Sequence, residues 1–175
     1  AGAGCHALAL QQRGVSVKAI DVSPLSCDAM RRRGIADVEC INLFDPRLGG
    51  GFDTILMLMN GTGIAGKMSG LGGLLRRVAS LLAPGGQILI DSSDLSYVYQ
   101  DEDGGMDIAL SGKYYGEVDY QMRYDRVEGL PFDWLYVDYP LLSAAAREAG
   151  LDCRLVAEGD HYDYLAQLSL ERTNP

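Results

Sequence analysis

Gly2, Gly4 and Asp21 are the residues whose types and spacing suggest chemistry first. A glycine turn ahead of a helix lets backbone come close to a ligand, and the helix start offers N–H groups with no partner of their own. Asp21 follows Gly2 by nineteen residues and closes an apolar segment that ends in Ala19-Ile20. A carboxylate placed there can accept hydrogen bonds from both hydroxyls of a ribose. The plain structural readings are an ordinary glycine turn and an aspartate that helps cap the next helix. Gly2-Ala3-Gly4-Cys5-His6-Ala7 also fits G-x-G-x-x-A, so these residues alone leave a nicotinamide-dependent oxidoreductase open.

The elements that must position this set alternate along the chain. Leu8 to Gly14 reads as a helix, and Val15 to Ile20 as a strand ending at Asp21. Ser23-Pro24 starts a helix that ends by Gly34, with serine as cap and proline in the first turn. Ala36 to Leu43 is a short strand. Phe52 to Met59 is a continuous apolar strand of the kind found at the buried centre of a parallel sheet, its methionines filling core. A glycine-rich loop leads from Asn60 into a helix over Leu71 to Leu82, which Pro84-Gly85-Gly86 stops before a strand at Gln87 to Asp91. This order implies a doubly wound α/β sheet. Ser92 to Lys113 loses the pattern and reads as a lid or substrate loop. Tyr114 to Arg126 and Phe132 to Tyr139 are two strands joined through Glu128-Gly129-Leu130-Pro131, an extra hairpin around 114–139. Tyr139-Pro140 introduces a helix that Gly150 ends. Cys153 to Ala157 and Tyr162 to Leu170 are strands whose tight turn makes them antiparallel.

With these motifs in order, the whole chain resembles a class I S-adenosylmethionine-dependent methyltransferase of the small-molecule type. Gly2 and Gly4 match the last two glycines of that family's first motif, and Asp21 its ribose-binding acid. Leu82-Ala83-Pro84-Gly85-Gly86 resembles the turn before the family's fifth strand, and the final hairpin resembles its antiparallel seventh strand. The resemblance implies a Rossmann-like, mostly parallel sheet with an antiparallel C-terminal strand. It implies one domain over 1–175, incomplete at the N-terminus, with the first strand absent from this chain. It also implies S-adenosyl-L-methionine as cofactor, with Asn42 and Leu43 at the adenine and Asn60 at the amino-acid end. Asn42 stands where the family often has aspartate, and Asp45 is an alternative. The reaction needs a nucleophile held in line with an activated methyl group, so orientation supplies much of the rate. No catalytic residue is assigned. Tyr114, Tyr115, Tyr120 and Trp134 on the hairpin are candidates for the walls of an acceptor pocket.

Composition narrows the partners. The formal net charge of −9 is poor for a phosphate-backbone binder, and the two dense basic runs, Arg31-Arg32-Arg33 and Arg76-Arg77, fall in helices as solvated faces. The family's Asp/Asn-Pro-Pro-aromatic motif for nucleobase amines is missing after the fourth strand. A small-molecule acceptor is therefore expected, with no nucleic acid and no membrane. The four cysteines lack close pairing and there are two histidines, so no metal site is expected and a reducing, cytoplasmic setting fits. A homodimer stays open. Two other readings remain: a degenerate methyltransferase fold used for binding or as a scaffold, and an NAD-dependent oxidoreductase.

Overall fold

The computed structural model describes residues 1–99 and 112–171. It divides into two compact units, Ala1–Gly49 and Gly50–Pro175.

The first unit is built from α1 (Cys5–Gln11), β1 (Lys18–Asp21), α2 (Pro24–Arg32) and β2 (Asp37–Cys40). The two strands pair in parallel, Ala19 beside Val38. Gly4 precedes α1 with φ 74, a left-handed conformation that ends the turn and starts the helix at Cys5, earlier than the expected Leu8. Ser23 caps α2: its Oγ accepts from Ser26 N–H at 3.3 Å, with proline in the first turn. Ala7, Ala19, Cys27, Met30 and Ile35 form the core, with Leu8, Val17 and Val38 against it.

The second unit opens with β3 (Phe52–Met57), a 3-10 turn (Gly61–Ala65), α3 (Met68–Ala79) and β4 (Leu82–Ser93). A further 3-10 turn (Leu95–Tyr99) precedes β5 (Glu117–Tyr120), β6 (Arg123–Tyr124), β7 (Val127–Glu128) and β8 (Phe132–Leu135). The unit closes with α4 (Tyr139–Glu148), β9 (Leu151–Glu158) and β10 (Asp163–Leu170). Its main sheet runs β3-β4-β10-β9. The β3–β4 pair is parallel, while β10 is antiparallel to both β4 and β9, as the tight terminal turn implied. The sheet is thus Rossmann-like, parallel where helices connect the strands and antiparallel at the C-terminal strand. Leu74, Leu75 and Val78 of α3, Leu142 and Ala146 of α4, and Ile88, Ile90, Ala166 and Leu168 of the sheet are all buried.

Several expectations need correction. The apolar run stops being a strand at Met57, because Met59 and Asn60 both take left-handed backbone, φ 66 and 60. Met57 is core, but Met59 is 80% exposed. Within this sheet β3 lies at the edge rather than the centre. Pro84-Gly85-Gly86 does not stop the helix, which ends at Ala79; it forms an irregularity inside β4, where pairing jumps from Phe52–Leu82 to Thr54–Gln87. A side chain at Gly86 would meet the Phe52 carbonyl at 2.8 Å, so only glycine admits the neighbouring strand there. The hairpin does not turn at Glu128–Pro131. Tyr124 pairs with Val127, so the chain reverses through Asp125 and Arg126, with Asp125 at φ 51. Gly129 to Pro131 separates the inner ladder β6–β7 from the outer ladder β5–β8. Most of the expected loop, residues 100–111, lies outside the described residues.

Candidate functional site

In the first unit, Asp21 stands at the carboxyl end of β1 with its side chain 15% exposed. Its Oδ2 accepts from Gly2 N–H at 2.8 Å and from the Ala1 amino group at 2.9 Å, and Oδ1 accepts from Ser23 N–H at 2.9 Å. Burial pushes the carboxyl pKa up. The hydrogen bonds from the Ala1 amino group and from Ser23 and Gly2 outweigh burial and leave it below the ordinary carboxylate value. The glycine turn and the acid are therefore one structure: the carboxylate fixes the turn. Gly2 has φ 54, and a Cβ there would meet nothing within 4 Å, so the turn is open on that side. At Gly4 the reason for glycine is packing, because a Cβ would run into Ile35 and Met30.

Asn42 follows β2. Its Oδ1 accepts from Phe44 N–H at 2.9 Å and its carbonyl from Asp45 N–H at 2.9 Å, which is a local asparagine turn. Leu43 is half-buried within that turn. Asp45 is bound to Arg47, Oδ2 to the guanidinium at 2.7 Å. Two apolar side chains escaped the sequence reading. Val22, directly after Asp21, is 66% exposed, and Phe44 is 47% exposed. Open α/β sheets take ligands at the carboxyl ends of parallel strands, and both residues lie just past such ends.

In the second unit, Asn60 is embedded in a polar network. Its Nδ2 donates to the Leu135 carbonyl at 3.1 Å, and its Oδ1 accepts from Thr62 Oγ1 at 3.0 Å and Ser92 Oγ at 2.8 Å. Thr62 and Ser92 are buried with their hydroxyl oxygens 2.8 Å apart, and Ser92 Oγ also accepts from Val137 N–H at 3.0 Å. The turn that carries Asn60 is held by Asp91, whose carboxylate accepts from the N–H groups of Met59 (3.0 Å), Asn60 (2.6 Å) and Gly61 (3.3 Å). No local pattern announces this network, because its members come from three separate stretches of chain.

A second cluster surrounds Asp138. This buried carboxylate caps α4 through Leu141 N–H at 2.9 Å and takes the hydroxyls of Tyr114 at 2.7 Å and Tyr115 at 2.8 Å. The Tyr115 hydroxyl lies 3.0 Å from Asp94 Oδ1 as well, so one proton is shared between two carboxylates. Burial first, then these hydrogen bonds, push the phenol pKa values of both tyrosines well above the ordinary one. Both are neutral hydrogen-bond donors near neutral pH. Tyr114 and Tyr115 thus serve this cluster, whereas Tyr120 and Trp134 lie on a separate aromatic face of the hairpin.

Among the described residues, no group of three or more His, Cys, Asp and Glu side chains is placed to hold a metal ion. Nor is any described helix long and apolar enough to cross a membrane.

No protein-family model and no curated protein matches the chain. Among solved structures, it is similar to a SAM-dependent methyltransferase from Bacteroides fragilis, in complex with S-adenosyl-L-homocysteine. The two share 51% identity with a TM-score of 0.89, over 97% of this chain and 69% of that one. The fold is also similar to that of the CcbJ methyltransferase from Streptomyces caelestis (15% identity, TM-score 0.68, 97% of this chain and 80% of that one). A third likeness is to the sugar N-methyltransferase KedS8 from Streptoalloteichus (19%, 0.64, 97% and 77%). At such identities the last two speak to fold alone.

Proposed function

Because this chain belongs to the S-adenosylmethionine-dependent methyltransferases, we propose that it transfers the cofactor's methyl group to a small-molecule acceptor and that 1–175 works as one domain. The observation that carries the reading is the 51% identity over 97% of the chain to a methyltransferase that binds the cofactor's product. The acceptor's size is supported by charge. A chain of net charge −9 is a poor partner for a polyanion. Two arginines of the densest basic run are also engaged internally, Arg31 with Asp28 and the Val38 carbonyl, Arg33 with the Ala3 carbonyl.

The residues of the first unit fit the nucleoside part of the cofactor. A carboxylate has about four acceptor positions, and Asp21 uses three on backbone and amino N–H groups, which leaves one on Oδ1 for a ribose hydroxyl. Gly2 leaves space beside that carboxylate, and Gly4 sets the start of α1. Val22 and Phe44 offer apolar surface that a purine would cover. Asn42 and Leu43 supply the turn after β2, with one acceptor position left on the asparagine oxygen. In the second unit, Asn60 acts through its carbonyl, which keeps one acceptor position beside the Gly63 N–H, since its own N–H is held by Asp91 and its side-chain oxygen is fully engaged.

When bound, the cofactor supplies a methyl carbon already activated by positive sulfur. The chain's work is then to orient the acceptor and exclude water, which accounts for large rate factors without acid or base groups. An acceptor that loses a proton needs a base as well.

Calorimetric titration with S-adenosylhomocysteine tests the reading, with NADH as a parallel ligand. Saturable binding of the homocysteine compound is expected. Asp21→Ala should weaken it about 10- to 100-fold, the range of one lost charge-assisted hydrogen bond. Absence of binding by the folded protein would overturn the proposal, and binding of NADH instead would move it to an oxidoreductase.

A further inference from the structure

We propose that the aromatic face of the hairpin in the second unit is a binding pocket for one neutral planar ring bearing a hydrogen-bonding group, and that this ring belongs to the methyl acceptor. The second half of the statement rests on the methyl-transfer reading; occupancy of the pocket by a ring does not.

The register of β5 against β8 sorts the side chains. Val118 stands opposite Trp134, and Tyr120 opposite Phe132, so these four share one face, while Glu117, Asp119, Asp133 and Leu135 share the other. The second face is tied down within the unit: Glu117 Oε1 accepts from Met68 N–H at 3.0 Å, Asp133 pairs with Lys67 at 3.3 Å, and Leu135 is fully buried. The first face is left to line an open groove of about 190 Å³ between Tyr120, Met122, Phe132, Trp134 and Tyr136.

Size suits a single ring. The groove is open to solvent on one side, and its volume of about 190 Å³ is enough to seat one substituted ring, since about 150 Å³ seats benzene. Wall geometry selects flatness. The Phe132 ring lies 5.9 Å from Tyr120 at 26° and 6.0 Å from Trp134 at 84°, so a planar ring can stack on one wall while meeting the edge of another. The rim selects a polar substituent. The Tyr120 and Tyr136 hydroxyls are 3.0 Å apart; one proton joins them and the other is free to be donated. Burial, then the Tyr120 hydrogen bond, pushes the Tyr136 pKa up to about 12, so the Tyr136 hydroxyl stays neutral. Among the described residues no carboxylate lines the groove, so none of them supplies the usual counter-charge for an ammonium group. Position ties the pocket to the sheet. A side chain at Gly63 would collide with the Trp134 indole, so that indole rests on the 3-10 turn after β3, at the carboxyl end of a parallel strand.

Trp134 is the one tryptophan of the chain, so its emission reports occupancy directly and without cofactor or turnover. The experiment titrates the protein with phenol, cyclohexanol and tetramethylammonium, and repeats the phenol series with Phe132→Ala and Tyr136→Phe. Phe132 is 40% exposed and Tyr136→Phe is nearly isosteric, so far-UV dichroism should show both variants folded. Expected is saturable quenching by phenol, about five- to tenfold weaker in Phe132→Ala and about threefold weaker in Tyr136→Phe. Linear quenching that is identical in all three proteins would overturn the proposal. So would cyclohexanol binding as tightly as phenol, or preferential saturation by tetramethylammonium, which would mark a cation box instead. Loss of phenol binding with S-adenosylhomocysteine binding intact would sink the pocket alone. The reverse result would sink the methyl-transfer reading and leave the ring site standing.

Discussion

Asp91→Asn is the most informative single change, because one carboxylate holds the left-handed turn at Met59–Gly61. In the native protein, Oδ2 accepts from Met59 N–H, and Oδ1 from Asn60 and Gly61 N–H. An amide keeps one acceptor. The stronger pair, at Asn60 and Gly61, retains it, and the new NH2 then faces the Met59 N–H, donor against donor. Loss of a charge-assisted bond at Met59 costs about 1.5 kcal/mol, the low end of the range because Asp91 is only half-buried. Conversion of the other two from charged to neutral costs about 0.5 kcal/mol each. The expected total is about 2.5 kcal/mol, which at a urea slope of about 1.5 kcal/mol/M lowers the unfolding midpoint by about 1.7 M. Trp134 emission is the probe, since the residue lies in the same unit as the turn. A double-mutant cycle with Met59→Gly sharpens the test. Met59 is exposed and left-handed, so glycine there removes a backbone cost of about 1 kcal/mol and should restore part of the lost stability. A midpoint unchanged by Asp91→Asn would refute the claim that this carboxylate holds the turn.

Further changes probe other parts of the fold. Asp138→Ala removes the cap of α4 and takes the acceptor from the Tyr114 hydroxyl, while Tyr115 keeps Asp94; a loss of about 2 to 3 kcal/mol in urea unfolding is expected, with Tyr115→Phe much milder. The same cluster fixes an alkaline limit. Tyr114 and Tyr115 have pKa values raised by folding, so their stabilisation is complete below the unfolded phenol value of about 10 and is lost as pH climbs toward the folded values. Tyr114→Phe/Tyr115→Phe should flatten that decline in a pH series of thermal scans. Gly4→Ala pits a Cβ against Ile35 and Met30 and demands an L-residue at φ 74; a loss of about 2 to 3 kcal/mol is expected from thermal unfolding followed by far-UV dichroism.

What could be read from the sequence was local. The cap at Ser23, the proline in the first turn of α4, and the period-two face of the last strand all depend on neighbours within a few residues; of its expected members Tyr162, Tyr164, Ala166, Leu168 and Leu170, the middle three are buried and the two at the ends are exposed. The glycine turn and Asp21 were legible for the same reason, as strand-end and helix-start residues of one βα unit. The misses have long-range causes. Nothing near Met59 shows that the strand ends at Met57, because the carboxylate that turns the chain lies 31 to 32 residues later. Pro84-Gly85-Gly86 looks like a helix stop in isolation. Gly86 serves the approach of β3, which only the sheet register reveals. Gly129-Leu130-Pro131 drew the hairpin turn to itself by composition, while the actual reversal depends on Asp125 adopting a left-handed conformation that aspartate tolerates. Thr62 and Ser92 are ordinary residues in sequence, and their burial beside Asn60 gives them their role.

The two units use the same physical device, and this changes how the cofactor test should be read. Asp21 at the end of β1 and Asp91 near the end of β4 each gather N–H groups from a neighbouring turn that contains glycine. In each case an acid at a strand end holds a glycine-containing turn through its N–H groups. If Asp21 also meets the ribose, Asp21→Ala would weaken binding by two routes, loss of that contact and release of the turn. Asp21→Asn separates them. The amide can still accept from Gly2 N–H through one oxygen, while its NH2 group can no longer accept from a ribose hydroxyl or from Ser23 N–H. If affinity for S-adenosylhomocysteine falls as far in Asp21→Asn as in Asp21→Ala while the thermal midpoint falls less, direct contact dominates. If affinity and midpoint fall in proportion across the two variants, Asp21 acts by holding the turn, and the contact to the cofactor runs through the backbone of Gly2.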